Sequence, residues 1–178
     1  MQPPIKYGAI FALIGLIIKL SVYLSGFSIE GYKYVTLAYL FLLLLAIALS
    51  VRYLYNETYS IQFKEYFKEG LKAGALFTVF ISLFTWLYYA KIDTAFLQHK
   101  IDERVSYIAN MPEKELRQIM EEKNLTRQDV IAQTKQSAET IFSPQFQSTA
   151  TLIGMMILSA FYSAVLAAIA KSKLFPKG

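Results

Sequence analysis

Four apolar blocks constrain this chain more than any other feature, and three of them carry no charge. Tyr34–Val51 is a run of 18 residues without Asp, Glu, Lys or Arg, and Ala73–Tyr89 is a second run of 17. The other two blocks are Tyr7–Leu24, "YGAIFALIGLIIKLSVYL", and Ala150–Ala170, "ATLIGMMILSAFYSAVLAAIA". These blocks are apolar all round, not along one stripe, which suits lipid as the surrounding solvent. At 1.5 Å per residue, 18 residues rise about 27 Å, close to the roughly 30 Å of a bilayer core. The composition agrees: the chain is 55% hydrophobic and 17% charged. Soluble domains are nearer about 45–50% and about 25%. The reading is all-α: an integral membrane four-helix bundle with spans near 7–24, 34–51, 73–89 and 150–170.

The first block could also be a cleaved leader. Such a leader has an apolar core of about 7–15 residues. This core is longer and Lys19 interrupts it, so an uncleaved anchor is expected. Gly26 and Gly31 in "SGFSIEGYK" suit a turn between the first two helices. Residues 57–72, "ETYSIQFKEYFKEGLK", place Phe63, Phe67 and Leu71 four apart among charges. Two readings fit: an amphipathic helix on the membrane surface, or a solvated extension of the third span. Ser143 and Pro144 signal the start of the fourth helix, a capping hydroxyl followed by proline.

The polar stretch 91–142 keeps a helical pattern. Leu97, Ile101, Val105 and Ile108 share one face. Pro112 opens a second helix with Leu116, Ile119 and Met120 on its apolar side. Thr126 and Asp129 resemble a capping box ahead of Val130, Ala138 and Ile141. A small helical cap outside the bilayer is expected, built partly on extensions of the membrane helices. If one helix ran unbroken from Ala73 past Ile101, it would be a rigid lever joining bilayer to cap.

Charge sets the expected orientation. Segments 1–6, 50–72 and 171–178 hold eight Lys/Arg in 37 residues, against nine in 61 for segments 25–33 and 91–142. Basic residues favour the cytoplasmic side. Both termini are therefore expected in the cytoplasm and the cap in the periplasm of a bacterial inner membrane. The net charge of +5 belongs to such flanks. With no basic–aromatic patch, no nucleic-acid partner is expected. The chain has no cysteine, so disulfides and thiolate metal sites are excluded while the compartment stays open.

Few residues invite a chemical role. Lys19 is the only ionisable residue inside a span. Such a group is either functional or snorkels to the headgroups, and its place near the helix end favours snorkelling. His99, Asp102 and Glu103 share a helix face and could hold a metal ion, but a zinc site wants three or four well-supported ligands. A solvated face with local ion pairs is the favoured reading, so no catalytic residue, metal or cofactor is assigned. Arg52, Tyr53, Tyr55, Trp86, Tyr88 and Tyr89 are read as interfacial anchors. Gly70, Gly74, Gly154, Ser159, Ser163, Ala160, Ala164 and Ala168 are small residues that let membrane helices approach closely. They would pack within the bundle, against a second copy, or against a partner membrane protein.

The order of "FKEGLKAGALFTVFISLFTWLYY", then "KIDTAFLQHKI", then "SPQFQSTATLIGMMILSAFYSAVLAAIAK" resembles the Bacteroidota inner-membrane proteins grouped as domain of unknown function 4199. The resemblance covers nearly the whole chain, and residues 60–100 and 143–171 most clearly. It implies a four-helix membrane protein and brings no activity, cofactor or site residue. A non-enzymatic structural or interaction role, through the cap and the helix faces, is therefore expected first. A transporter or channel component is the alternative. A lipid-active enzyme using Asp93, His99, Asp102 and Glu103 at the outer interface is the third reading.

Overall fold

A computed structural model describes residues 3–57 and 62–172, apart from the side chain of Lys123. Residues 58–61, in the expected amphipathic segment, and 173–178, in the basic tail, lie outside the described residues. Among the described residues every regular element is helical. The order is α1 (Pro3–Leu24), α2 (Ser28–Glu57), α3 (Phe63–Leu87), a π-helical turn (Tyr88–Ile92), α4 (Thr94–Ala109), α5 (Glu113–Lys123), α6 (Arg127–Ile141) and α7 (Pro144–Lys171). Four helices are long and apolar enough to cross a membrane: α1, α2, α3 with its π turn, and α7. Each starts before or ends after the apolar block that announces it, because helical hydrogen bonding continues into the polar flanks.

The chain divides into two compact units. The first lies within Met1–Phe84 and Ser148–Gly178, and the second is Thr85–Gln147. In the first unit, α2 and α3 are central. Their apolar windows are 44% and 39% buried within the protein, against 22% each for α1 and α7. The core joins Leu43, Ile47 and Val51 of α2, Phe77 and Ile81 of α3, and Met155 and Ala167 of α7. The outer faces are apolar too. Leu13, Ile17, Leu37, Phe41, Leu83, Ile157 and Phe161 are each more than half exposed. A water-soluble bundle would place polar residues there, whereas hydrocarbon accepts these.

Local signals set the helix ends. Gly26 takes φ 77°, where a side chain would clash. Its N–H reaches Tyr23 O and that of Phe27 reaches Val22 O, closing α1 with paired C-terminal bonds. Asn124, at φ 51° and ψ 48°, ends α5 in the same way. Ser143 caps α7, its hydroxyl accepting from Phe146 N at 3.2 Å ahead of Pro144. α3 runs without a break from Phe63 into its apolar part, which favours an extension of the span over a separate surface helix.

Small residues let α3 and α7 approach closely. Gly70, Gly74, Thr78 and Ser82 recur every four residues along the buried face of α3. A methyl group on Gly74 would come within 2.7 Å of Ser159 Oγ and 3.0 Å of Ile47 Cδ1, and one on Gly70 within 2.9 Å of Ser163 Oγ. Thr78 and Ser159 hydroxyls lie 3.3 Å apart. Ser82 and Ser148 donate to each other's carbonyls, each at 2.9 Å. Other small residues of α7 point elsewhere. Ala160 and Ala164 are half-buried, Ala168 is exposed, and Gly154 has open space around it. Gly74→Val is therefore expected to cost about 1–3 kcal/mol through overpacking. Gly154→Ala is expected to hold stability or raise it by up to about 1 kcal/mol through helix propensity. Thermal unfolding in detergent separates the two, and equal losses would contradict this packing.

Candidate functional site

The second unit builds its own small core. Ile108 of α4, Leu116 of α5 and Val130 of α6 are buried together, with Met111, Ile119, Met120, Leu125 and Ile131 around them. Arg127 donates to Ala109 O at 2.8 Å, so the start of α6 covers an orphan carbonyl at the end of α4. Thr126 and Asp129 form the expected capping box: the Thr126 hydroxyl and N–H both donate to Asp129 Oδ2, at 2.6 and 3.0 Å, and Asp129 N donates back to Thr126 Oγ1. Those bonds from Thr126, the hydroxyl first, hold the Asp129 carboxyl below its ordinary range. Among the described residues, an open groove of about 500 Å³ lies over this core. Gln133, Thr134 and Ser137 of α6 and Arg104 of α4 line it beside Ile108 and Leu125.

The turn between α3 and α4 departs from expectation. Asp93 N–H reaches back five residues to Tyr88 O at 2.9 Å, which closes the π turn. The chain leaves helical geometry at Asp93, with φ −121° and ψ 62°, before α4 begins. The continuous lever from Ala73 past Ile101 is thus interrupted. Asp93 is 6% exposed and caps α4: Oδ1 accepts from Phe96 N at 3.2 Å and Oδ2 from Tyr88 OH at 2.7 Å. Tyr88 and Tyr89, read from the sequence as interfacial anchors, are both buried within the protein. Their rings meet edge to face at 5.0 Å, and Tyr89 stacks on Phe96 at 5.4 Å. The π turn takes in an extra residue and so shifts the register in which these rings face their neighbours. Trp86 is 41% exposed. Asp93, followed by a helical pattern, carried an N-cap signal that could have marked it.

His99, Asp102 and Glu103 are all exposed on α4. Gln98 donates to Asp102 at 2.9 Å, and Lys100 to Glu103 at 2.7 Å. The Lys100 ammonium lowers the Glu103 carboxyl below its usual range. Among the described residues no three His, Cys, Asp or Glu side chains converge on one point.

In the first unit, Lys19 is 7% exposed, with its ammonium 5.5 Å from the centre of the Tyr32 ring. Tyr32 lies in the first turns of α2, so this cation–ring contact spans the α1–α2 hairpin. Arg52 and Tyr53 are exposed on α2, while Tyr55 packs on Tyr66 with ring centres 6.3 Å apart. Ser159 satisfies its hydroxyl on Met155 O at 2.8 Å. Ser50 and Ser163 are buried hydroxyls without a hydrogen-bond partner among the described residues. Each such group costs about 1–3 kcal/mol. Sequence reasoning passed over Ser50, a single hydroxyl in an otherwise apolar run.

Comparison with known proteins gives one match: the family described as "Protein of unknown function (DUF4199)" covers residues 6–172. No curated protein and no solved structure matches the chain.

The α6 wall of the groove begins at the capping box, and its acid sensitivity follows from Asp129. A carboxyl held lower in the folded than in the unfolded chain stabilises above its unfolded value, about 3.9. That contribution is lost as pH falls through the lower folded value. The cap helices are therefore expected to loosen below about pH 4, and Asp129→Asn to lessen that acid response. Protection of the amides at the start of α6, as exchange corrected for its intrinsic pH dependence, measures this. Protection that fell instead as pH rose from 4 to 7 would contradict it.

Proposed function

We propose that this chain, which belongs to the DUF4199 family, is a small inner-membrane protein that works through protein contacts and carries out no reaction of its own. Both termini would lie in the cytoplasm and the 91–142 insert in the periplasm. The observation that carries this reading is the use made of the insert's polar groups. Asp93, Asp102, Glu103 and Asp129 are each held by a neighbour within their own helix, cap or turn. Side chains poised for chemistry would instead turn toward a shared point. What the insert offers outward is the groove, with Arg104 and three uncharged polar side chains beside apolar walls. That mixture suits the polar rim and apolar floor of a transient protein interface.

The orientation follows from the basic flanks, with eight Lys/Arg in 37 residues on the proposed inner side against nine in 61 on the outer. Purification from native membranes tests the contact role. A second membrane chain, or a second copy, is expected to come with the wild-type protein. Arg104→Glu combined with Ser137→Trp should reduce its recovery about tenfold while leaving the amount in the membrane unchanged. A protein that always runs alone, or a partner unaffected by the double variant, would contradict it.

A further inference from the structure

A second, smaller cavity lies in the transmembrane unit. It holds about 180 Å³ and is lined by Ser50, Tyr53 and Leu54 of α2, Glu69 and Lys72 of α3, and Pro4 of α1. Ser50 is 1% exposed, and its hydroxyl has no hydrogen-bond partner among the described residues. A helical serine can donate to the carbonyl one turn back, as Ser159 does. Ser50 does not, so the cavity wall carries a hydroxyl with unused capacity. Glu69 and Lys72 line the same space as an ion pair at 2.7 Å. An ammonium has three donors and a carboxylate two acceptor oxygens, so each retains capacity beyond that bond.

The cavity's level in the chain narrows what could fill it. The charge-free part of α2 ends at Val51, beside Arg52. That of α3 begins at Ala73, beside Lys72. The apolar block of α1 begins at Tyr7, beside Lys6. All three boundaries fall within about one helical turn of lining residues. In a chain that crosses a bilayer, this is headgroup level, where interfacial residues meet lipid polar groups. Among the described residues the wall carries one cation, one anion and one hydroxyl without a hydrogen-bond partner. A headgroup with a phosphate and a primary ammonium complements that set. Phosphate accepts from Lys72 and Ser50, and the ammonium donates to Glu69. The volume is below the roughly 300–1,000 Å³ of drug-sized sites, so it suits a compact headgroup and not its acyl chains.

We propose that this cavity binds the headgroup of an ethanolamine phospholipid from the surrounding bilayer. It rests on the reading that α1, α2 and α3 cross a membrane, and it is independent of what the cap contacts. A choline headgroup lacks the N–H donors for Glu69 and is bulkier. A glycerol headgroup lacks the cation.

The test uses the full chain in nanodiscs of mixed ethanolamine, choline and glycerol phospholipids, with retained lipid counted by native mass spectrometry. Ethanolamine lipid should be enriched about fivefold over choline lipid, and enrichment should fall stepwise as the headgroup nitrogen is mono-, di- and trimethylated. Ser50→Ala and Glu69→Gln should each reduce the enrichment about threefold, while Glu139→Gln on α6 leaves it unchanged. The methylation series needs no variant, so a misfolded mutant does not obscure the result. Equal retention of the three lipids, or enrichment indifferent to Ser50→Ala and Glu69→Gln, would overturn the proposal. So would soluble glycerophosphoethanolamine binding as tightly as the lipid, since the source would then be solution. Failure of the chain to enter the discs would count against the membrane reading itself, separately from lipid selectivity.

Discussion

The transmembrane unit depends on how closely α3 and α7 come together. Hydrocarbon offers no hydrophobic gain for joining two apolar helices, so close packing and hydrogen bonds must hold them. Gly70 and Gly74 remove the side chains that would keep the backbones apart, and Ser159 and Ser163 fill the space. The pairs Thr78–Ser159 and Ser82–Ser148 then satisfy hydroxyls that lipid could not. Ile47 of α2 lies against both glycines, so the same approach locks the central helix into the bundle. Van der Waals contact and polar satisfaction coincide at Gly74 and Ser159.

The second unit follows a different rule. Its helices are short and amphipathic, and its core is small. Each helix needs a defined end: side chains start α4 (Asp93), α6 (Thr126 with Asp129) and α7 (Ser143), while the left-handed backbone of Asn124 ends α5. The interruption at Asp93 also gives this unit its own beginning. Tyr88 and Asp93, five residues apart, hydrogen bond to each other where the π turn closes. Asp93, which looked available for chemistry, is occupied in shaping the backbone.

Most of the architecture was legible in the sequence, because a bilayer imposes a long, continuous signal. Four long apolar blocks mark four helices whatever their arrangement. The capping box at Thr126 and the Ser143–Pro144 start were legible for a similar reason, since each depends on neighbours within a few residues. Directions across helices were not. Ser159 and Gly154 are both small residues of one apolar block, yet one packs against Gly74 and the other faces open space. Tyr88 and Tyr89 read as belt residues because composition reports hydrophobic level, not the register shift of a π turn. Lys19 was marked by its charge, but its contact with Tyr32 required the α1–α2 hairpin to be in place. Ser50 had no signal until its missing partner could be seen.

The central claim is that four helices cross a bilayer with the 91–142 insert on one side and both termini on the other. The absence of cysteine makes this directly measurable, because any single introduced thiol is the only one present. Gln128→Cys on α6 and Asn56→Cys near the end of α2 are both exposed positions. In intact bacterial spheroplasts, a membrane-impermeant maleimide is expected to label Gln128→Cys at once. It should label Asn56→Cys only after the membrane is opened. Equal labelling of both before opening, or labelling of Asn56→Cys alone, would contradict the account.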